Sequence, residues 1–82
     1  MRQTIFITGA SSGIGKETAK IFQSKGWNVV ATMRNHENET ELNCLENVFV
    51  TKLDVLDLDS INQAINNGIQ KFGSIDVLLN NA

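Results

Sequence analysis

The chain has 82 residues, a formal net charge of −2, 41% hydrophobic residues, one Cys, one His, and neither Tyr nor Pro. That length allows at most one small domain, and seven Lys and Arg in a slightly acidic chain leave no electrostatic footprint for nucleic acid. A single Cys forms no internal disulfide, and with a single His it supplies no four-ligand zinc site. No apolar run reaches the roughly 18 residues that a membrane span needs. The opening Met1-Arg2-Gln3-Thr4-Ile5-Phe6-Ile7 is too short in apolar residues for a signal peptide, so reduced cytoplasm is the expected compartment.

Thr4 to Thr8 is a β-branched and aromatic run bounded by Gly9, the pattern of a strand covered on both faces. From about Ser12 to Lys25 the period becomes helical. Ile14, Thr18, Ile21 and Phe22 fall on one face, and Lys16, Glu17, Lys20 and Gln23 on the other. Gly26 follows, where a helix C-terminus favours a residue that tolerates positive φ. Asn28 to Met33 reads as a second strand. Asn35 to Asn47 is polar and is expected to be a loop with one or two helical turns, Cys44 packing as a small apolar residue beneath one of them. Val48 to Leu53 reads as a third strand. Asp57 to Phe72 is the most regular helix, with Ile61, Ala64, Ile65, Ile69 and Phe72 on one side, Asp57 or Asp59 as its cap and Gly73 past its end. Ile75 to Asn80 makes a fourth strand. The alternation predicts an α/β fold, a parallel sheet with alternating helices. A strand as apolar as Val77-Leu78-Leu79 wants a neighbour on each side, so the reading is of a truncated domain whose open sheet edge makes the isolated chain self-associate.

Chemistry concentrates at the strand ends. Thr8-Gly9-Ala10-Ser11-Ser12-Gly13-Ile14-Gly15 joins the first strand to the first helix. Gly9 lets the chain turn off the strand, Gly13 removes a β-carbon that would hold a phosphate away, and Gly15 lets the helix pack closely on the strand. The helix N-terminus offers free N–H groups and a partial positive charge of about half a unit to a pyrophosphate. Ser11 and Ser12 add hydroxyl donors. A glycine turn alone also fits a tight connection with no ligand, but its position after a strand and before an amphipathic helix favours a phosphate. Its spacing is G-x-x-x-G-x-G, unlike the commoner G-x-G-x-x-G.

At the end of the second strand, Met33 stands where an acidic residue would bind the ribose 2′-hydroxyl of NAD, and Arg34 follows. A guanidinium bonds a phosphate through two parallel N–H groups, which favours NADP over NAD; the bland alternative is a solvated Arg. Asp54-Val55 ends the third strand on the same sheet edge. Asp54 either accepts from an adenine amino group or caps the next turn. Asn80-Asn81-Ala82 ends the fourth strand, where the amides bridge loops or line the ribose. His36 is expected to be solvated, Asp57 and Asp59 to be helix-start charges, and the Trp27 ring to pack at the mouth of the second strand.

In order, these residues resemble the short-chain dehydrogenase/reductase family over the whole chain. The match is carried by Thr8 to Gly15, Arg34, Asp54-Val55 and Asn80-Asn81-Ala82. The resemblance implies a Rossmann-like fold of which this chain is the N-terminal part, about four strands. It also implies an NADP site: Gly9, Ser11, Ser12, Gly13, Ile14 and Gly15 at the pyrophosphate, Arg34 at the 2′-phosphate, Asp54 and Val55 at the adenine, Asn80 and Ala82 beside the ribose. The family transfers hydride between nicotinamide and a carbonyl or alcohol, using a Tyr and a Lys four residues apart, a preceding Ser and an Asn on a later helix. This chain has no Tyr and no Gly after Asn-Asn-Ala, so no catalytic or metal-binding residue is assigned, and a small-molecule substrate is expected only for a full-length form. The alternatives are a non-enzymatic dinucleotide-binding module and an inactive gene remnant.

Overall fold

The computed structural model describes residues 2–11 and 13–81. Its elements in chain order are strand β1 (Thr4–Ile7), helix α1 (Gly13–Ser24), β2 (Asn28–Met33), two single 3-10 turns (His36–Asn38 and Leu42–Cys44), β3 (Val48–Lys52), α2 (Leu58–Phe72) and β4 (Val77–Leu79). The strands form one parallel sheet in the order β3-β2-β1-β4. Ile5 lies opposite Val29 on one side and Val77 on the other. The chain thus steps outward from β1 through β2 to β3 and returns across the sheet to β4. That reversal beside β1 opens a crevice at the strands' carboxyl ends, where open α/β sheets bind their ligands.

Alternation along the strands divides the core between the two faces of the sheet. Ile5, Ile7, Val29, Ala31 and Met33 meet Ala19 of α1 and Leu42 on one face. Phe6 and Val30 meet Leu53 and Ala64 on the other, flanked by Ile61, Ile65 and Phe72 of α2. Phe6, Ile5, Ile7 and Leu42 are fully buried, each contributing about 1.5–3 kcal/mol of transfer free energy. These are the two covered faces of an α/β Rossmann-like layer, as the sequence pattern predicts.

The termini of α2 follow the sequence closely. Asp57 Oδ1 accepts hydrogen bonds from the N–H groups of Asp59 and Ser60, at 3.0 and 3.4 Å. At the other end Gly73 takes φ 92° and donates its N–H to the Ile69 carbonyl at 2.7 Å. Its buried line departs from expectation: Gly68 lies beside Val30, while Ile69 is exposed.

The α1 face is the larger correction. Ile14 and Ile21 are exposed, at 74% and 51%, and the buried residues of the helix are Gly15 and Ala19, with Phe22 half-buried. The helix is rotated about one residue from the hydrophobic stripe. The cause is steric: a β-carbon at Gly15 would collide with the Gly9 carbonyl, so only the Gly15–Ala19 line lets the helix lie against β1. Thr18, expected on the same face, bends back and donates its hydroxyl to the Ile14 carbonyl at 2.7 Å.

Between β2 and β3 the polar segment forms its two turns, but Cys44 is exposed and Leu42 takes the buried place. Only one residue of a single 3-10 turn points fully inward, and Leu42 is the larger apolar one. Trp27 packs edge-on against Phe22, ring centroids 4.9 Å apart. In β4, Val77 and Leu78 are exposed, and β4 pairs with β1 alone among the described residues. No described helix is long and apolar enough to cross a membrane.

The rotation of α1 makes a testable distinction. Ala19→Leu overpacks a closed contact and is expected to destabilise by about 1–3 kcal/mol, while Ile21→Gln shifts stability by less than about 0.5 kcal/mol. Urea denaturation checks the pair; the reverse ranking would put the Ile14–Ile21 stripe on the sheet.

Candidate functional site

The carboxyl ends of all four strands converge on the loop between β1 and α1. Gly9 turns the chain off β1 at φ 66°, and Gly13 enters the helix at φ 61°, both in the left-handed region that glycine occupies without strain. A β-carbon at Gly13 would have no atom within 4 Å, so the space before the helix N-terminus is open. At Gly15 the reverse holds: the β-carbon would strike the Gly9 carbonyl and lie 2.7 Å from Asn81 Nδ2. One glycine keeps the cradle open, and the other closes the helix against its back. Ser12 and Ala82, both assigned to the site from sequence, lie outside the described residues.

Neighbouring strands brace the loop. The Ala10 N–H donates to the Thr32 carbonyl at 3.0 Å, and Thr32 Oγ1 donates to the Ile7 carbonyl at 2.8 Å. Thr8 links β1 to β4. Its N–H donates to the Leu79 carbonyl at 3.0 Å, and its hydroxyl lies 3.0 Å from Asn80 Oδ1 and accepts from the Asn81 N–H at 2.8 Å. Asn81 Nδ2 reaches the Gly9 carbonyl at 3.4 Å. The bracing by Thr8 and Asn81 is faintly marked in the sequence. Their signal was only that the motif begins at Thr8 and that two amides follow β4.

A cleft of about 330 Å³ runs over the sheet edge, lined by Gly9, Ser11, Met33, Arg34, Asn35, Leu53 and Val55. It brings together Gly9, Ser11, Arg34 and Val55 from three separated parts of the sequence. Ile14 is exposed at the start of α1. Arg34 is exposed at the lip, its Nη2 3.9 Å from Asp54 Oδ1. Asp54 itself turns away from this cleft: its Oδ1 accepts from the Leu56 N–H at 3.0 Å, and its own N–H donates to Ser60 Oγ at 2.9 Å. In this conformation Asp54 shapes the turn into α2. Asn80 lines an apolar cleft of about 300 Å³ on the α2 face, with Phe6, Val55, Ile61 and Leu78 among its neighbours. His36 is half-buried rather than fully solvated, with Nδ1 3.3 Å from Glu37 Oε2.

Ion pairing next to the cleft had no signature in the sequence. Lys16 Nζ lies 3.3 Å from Glu39 Oε1 and 3.1 Å from Glu41 Oε1, and Lys20 Nζ lies 2.8 Å from Glu41 Oε2. Glu39 is buried, and its Oε2 accepts from the Leu42 N–H at 2.8 Å, so the carboxylate caps the second 3-10 turn while it ties α1 to that turn. Burial pushes the Glu39 carboxyl up, but the Leu42 N–H and the Lys16 ammonium outweigh it and hold the group below its ordinary 4.5. Hydrogen bonds from Lys20 and Lys16 hold Glu41 below 4.5 as well. The bond to Glu41 leads in raising both Lys16 and Lys20 above 10.5, against partial desolvation.

The geometry gathers a glycine turn, a helix N-terminus and the Arg34 guanidinium at one edge of an α/β sheet. Comparison with known proteins is specific. The family model for short chain dehydrogenases matches residues 3–82. Oxidoreductase BOA17 from Botryotinia fuckeliana is 44% identical over 85 residues, covering 100% of this chain and 31% of that protein. The solved structure of ElxO with NADP bound superposes with a TM-score of 0.87 at 38% identity, covering 100% of this chain and 35% of that one. A 3-ketoacyl-(acyl-carrier-protein) reductase from Brucella melitensis, complexed with NADH, gives 0.85 at 27% identity, covering 93% and 32%. The chain belongs to the short-chain dehydrogenase family. It spans about a third of the length of the curated relatives it matches.

The pH dependence of the ion-pair cluster follows from the signs. Carboxyls lowered in the folded state contribute stability that is full above the unfolded value of 4.5 and is lost as pH falls through their lower folded values. Raised lysines contribute fully below 10.5 and lose it as pH rises through their folded values. The cluster therefore stabilises most across the interval between. Glu39→Gln is expected to lower stability by about 1 kcal/mol at pH 7, with the gap to the parent chain narrowing below pH 4.5. Thermal melts against pH measure this; a gap that widens in acid would contradict the assignment.

Proposed function

We propose that this chain holds the adenosine and pyrophosphate of NADP(H) in an oxidoreductase of the family. The pyrophosphate fits the open space before α1. There Gly13 offers no side chain, the first N–H groups of the helix are without helical partners, and the macrodipole presents about half a positive charge. Ser11 adds a hydroxyl, and Ile14 and Gly15 complete the described part of the loop. Val55 and Leu53 supply an apolar wall for the adenine, and Asp54 beside them shapes the turn that carries Val55.

The observation that carries the choice of NADP is Arg34. It stands exposed at the lip of the cleft that Gly9 and Ser11 line, Met33 before it offers no carboxylate to a ribose 2′-hydroxyl, and its acidic neighbour Asp54 is 3.9 Å away. A rim pair of that length exchanges readily for a phosphate, which accepts two parallel N–H bonds from a guanidinium. The bound ElxO structure, with NADP, agrees with this reading. The Brucella reductase with NADH makes the 2′-phosphate contact the point to test.

When bound, the nicotinamide supplies or accepts a hydride, exchanged with a carbonyl or alcohol substrate. These 82 residues hold and orient the nucleotide. They include no Tyr to move the substrate proton, and we expect them to be inactive alone. Arg34→Ala is expected to weaken NADPH roughly tenfold or more while leaving NADH within about twofold, since one charge-assisted pair is lost only with the phosphate. Fluorescence titration with both nucleotides measures it. Equal losses, or none, would remove Arg34 from the 2′-phosphate.

A further inference from the structure

The Lys16 ion pairs lie against the proposed 2′-phosphate position. A second cleft, of about 320 Å³, opens beside the first and shares Ser11, Met33, Arg34 and Asn35 with it; Lys16, Asn38, Glu39 and Thr40 close its far side. Arg34 and Lys16 thus face one space from two elements, the end of β2 and the first turns of α1. The two carboxylates that hold Lys16 differ in freedom. Glu39 is fixed, its side chain 3% exposed and its second oxygen committed to the Leu42 N–H. Glu41 is 60% exposed and already shared with Lys20 at 2.8 Å. An ammonium has three N–H donors, and two suffice for Glu39 and Glu41.

From this arrangement, and resting on the NADP reading above, we infer that Lys16 is a second ligand of the 2′-phosphate, with Glu41 as its exchangeable placeholder in the free protein. When the phosphate enters, Lys16 keeps Glu39, turns its other donors to the phosphate oxygens and releases Glu41 to Lys20. No proton needs to move. Glu39 is the anchor: it holds the Lys16 stem on the cleft wall, and with both its oxygens committed it is unavailable to a ribose 2′-hydroxyl. The exchange lowers electrostatic repulsion, because the exposed carboxylate leaves as the phosphate arrives. Lys20 is the residue that makes this departure easy, since Glu41 retains a partner.

The test titrates the 82-residue chain with 2′,5′-ADP and with 5′-AMP, which differ only by the 2′-phosphate and need no nicotinamide pocket. The parent chain is expected to prefer 2′,5′-ADP. Lys16→Met is expected to reduce that preference roughly tenfold by weakening 2′,5′-ADP with little change in 5′-AMP. Glu41→Gln, an exposed change that leaves the core intact, is expected to tighten 2′,5′-ADP roughly threefold. In the Lys16→Met background the same change is expected to do nothing, because the two residues act as a pair. An unchanged preference in Lys16→Met, or weaker 2′,5′-ADP binding in Glu41→Gln, overturns the role of Lys16 and leaves Arg34 as the phosphate ligand. No preference in the parent chain overturns the NADP reading itself, and this inference falls with it.

Discussion

The contact between Gly15 and the Gly9 carbonyl sets the position of everything at the carboxyl edge of the sheet. It is a backbone-to-backbone approach in which no side chain fits. It draws the first turn of α1 onto the end of β1, so the helix N-terminus points into the space that Gly13 leaves open. Asn81 closes the same point from β4 with its bond to the Gly9 carbonyl. One close approach therefore aims the helix dipole, shapes the glycine loop and ties the central strand to its outer neighbour. The rotation of α1 is a further consequence, since small Ala19 must follow Gly15 on the inner line and Ile14 and Ile21 are carried outward.

Much of this was legible in the sequence because its signals are local. Thr4 to Ile7 announced a doubly covered strand, Asp57 and Gly73 marked the two ends of α2, and the glycine spacing marked the loop. Hydrophobic periodicity failed at α1 for a physical reason: it weighs side chains, whereas the inner face of that helix is set by a glycine and an alanine at a close approach. The same blindness hid Gly68, where an added β-carbon would press on Val30. Cys44 was misjudged because a single 3-10 turn gives no periodic signal, and Leu42, two residues earlier, took the buried place.

The part of the site that the sequence did not reveal is long-range. Thr8 meets Asn80 and Asn81 across more than seventy residues, and Lys16 meets Glu39 across the width of the cleft wall. No spacing rule connects such pairs; only the return of β4 beside β1 and the folding of the 35–47 segment over α1 bring them together. These pairs also divide the labour. Thr8, Asn81 and Thr32 brace the backbone of the glycine loop with neutral hydrogen bonds, while Arg34 and Lys16 give the cleft its charge.

The central claim is that the turn between β1 and α1 is a phosphate cradle aimed by the Gly15–Gly9 contact. Amide-resolved NMR of the 15N-labelled chain, titrated with NADP, tests it most directly. The account predicts the largest shifts at the amides of Ser11, Gly13, Ile14 and Gly15, with a second group at Arg34 and Asn35 and little change at the far ends of the strands near Asn28 and Asp76. Shifts confined to the start of α2 at Asp57, Asp59 and Ser60, with the glycine amides unmoved, would contradict it.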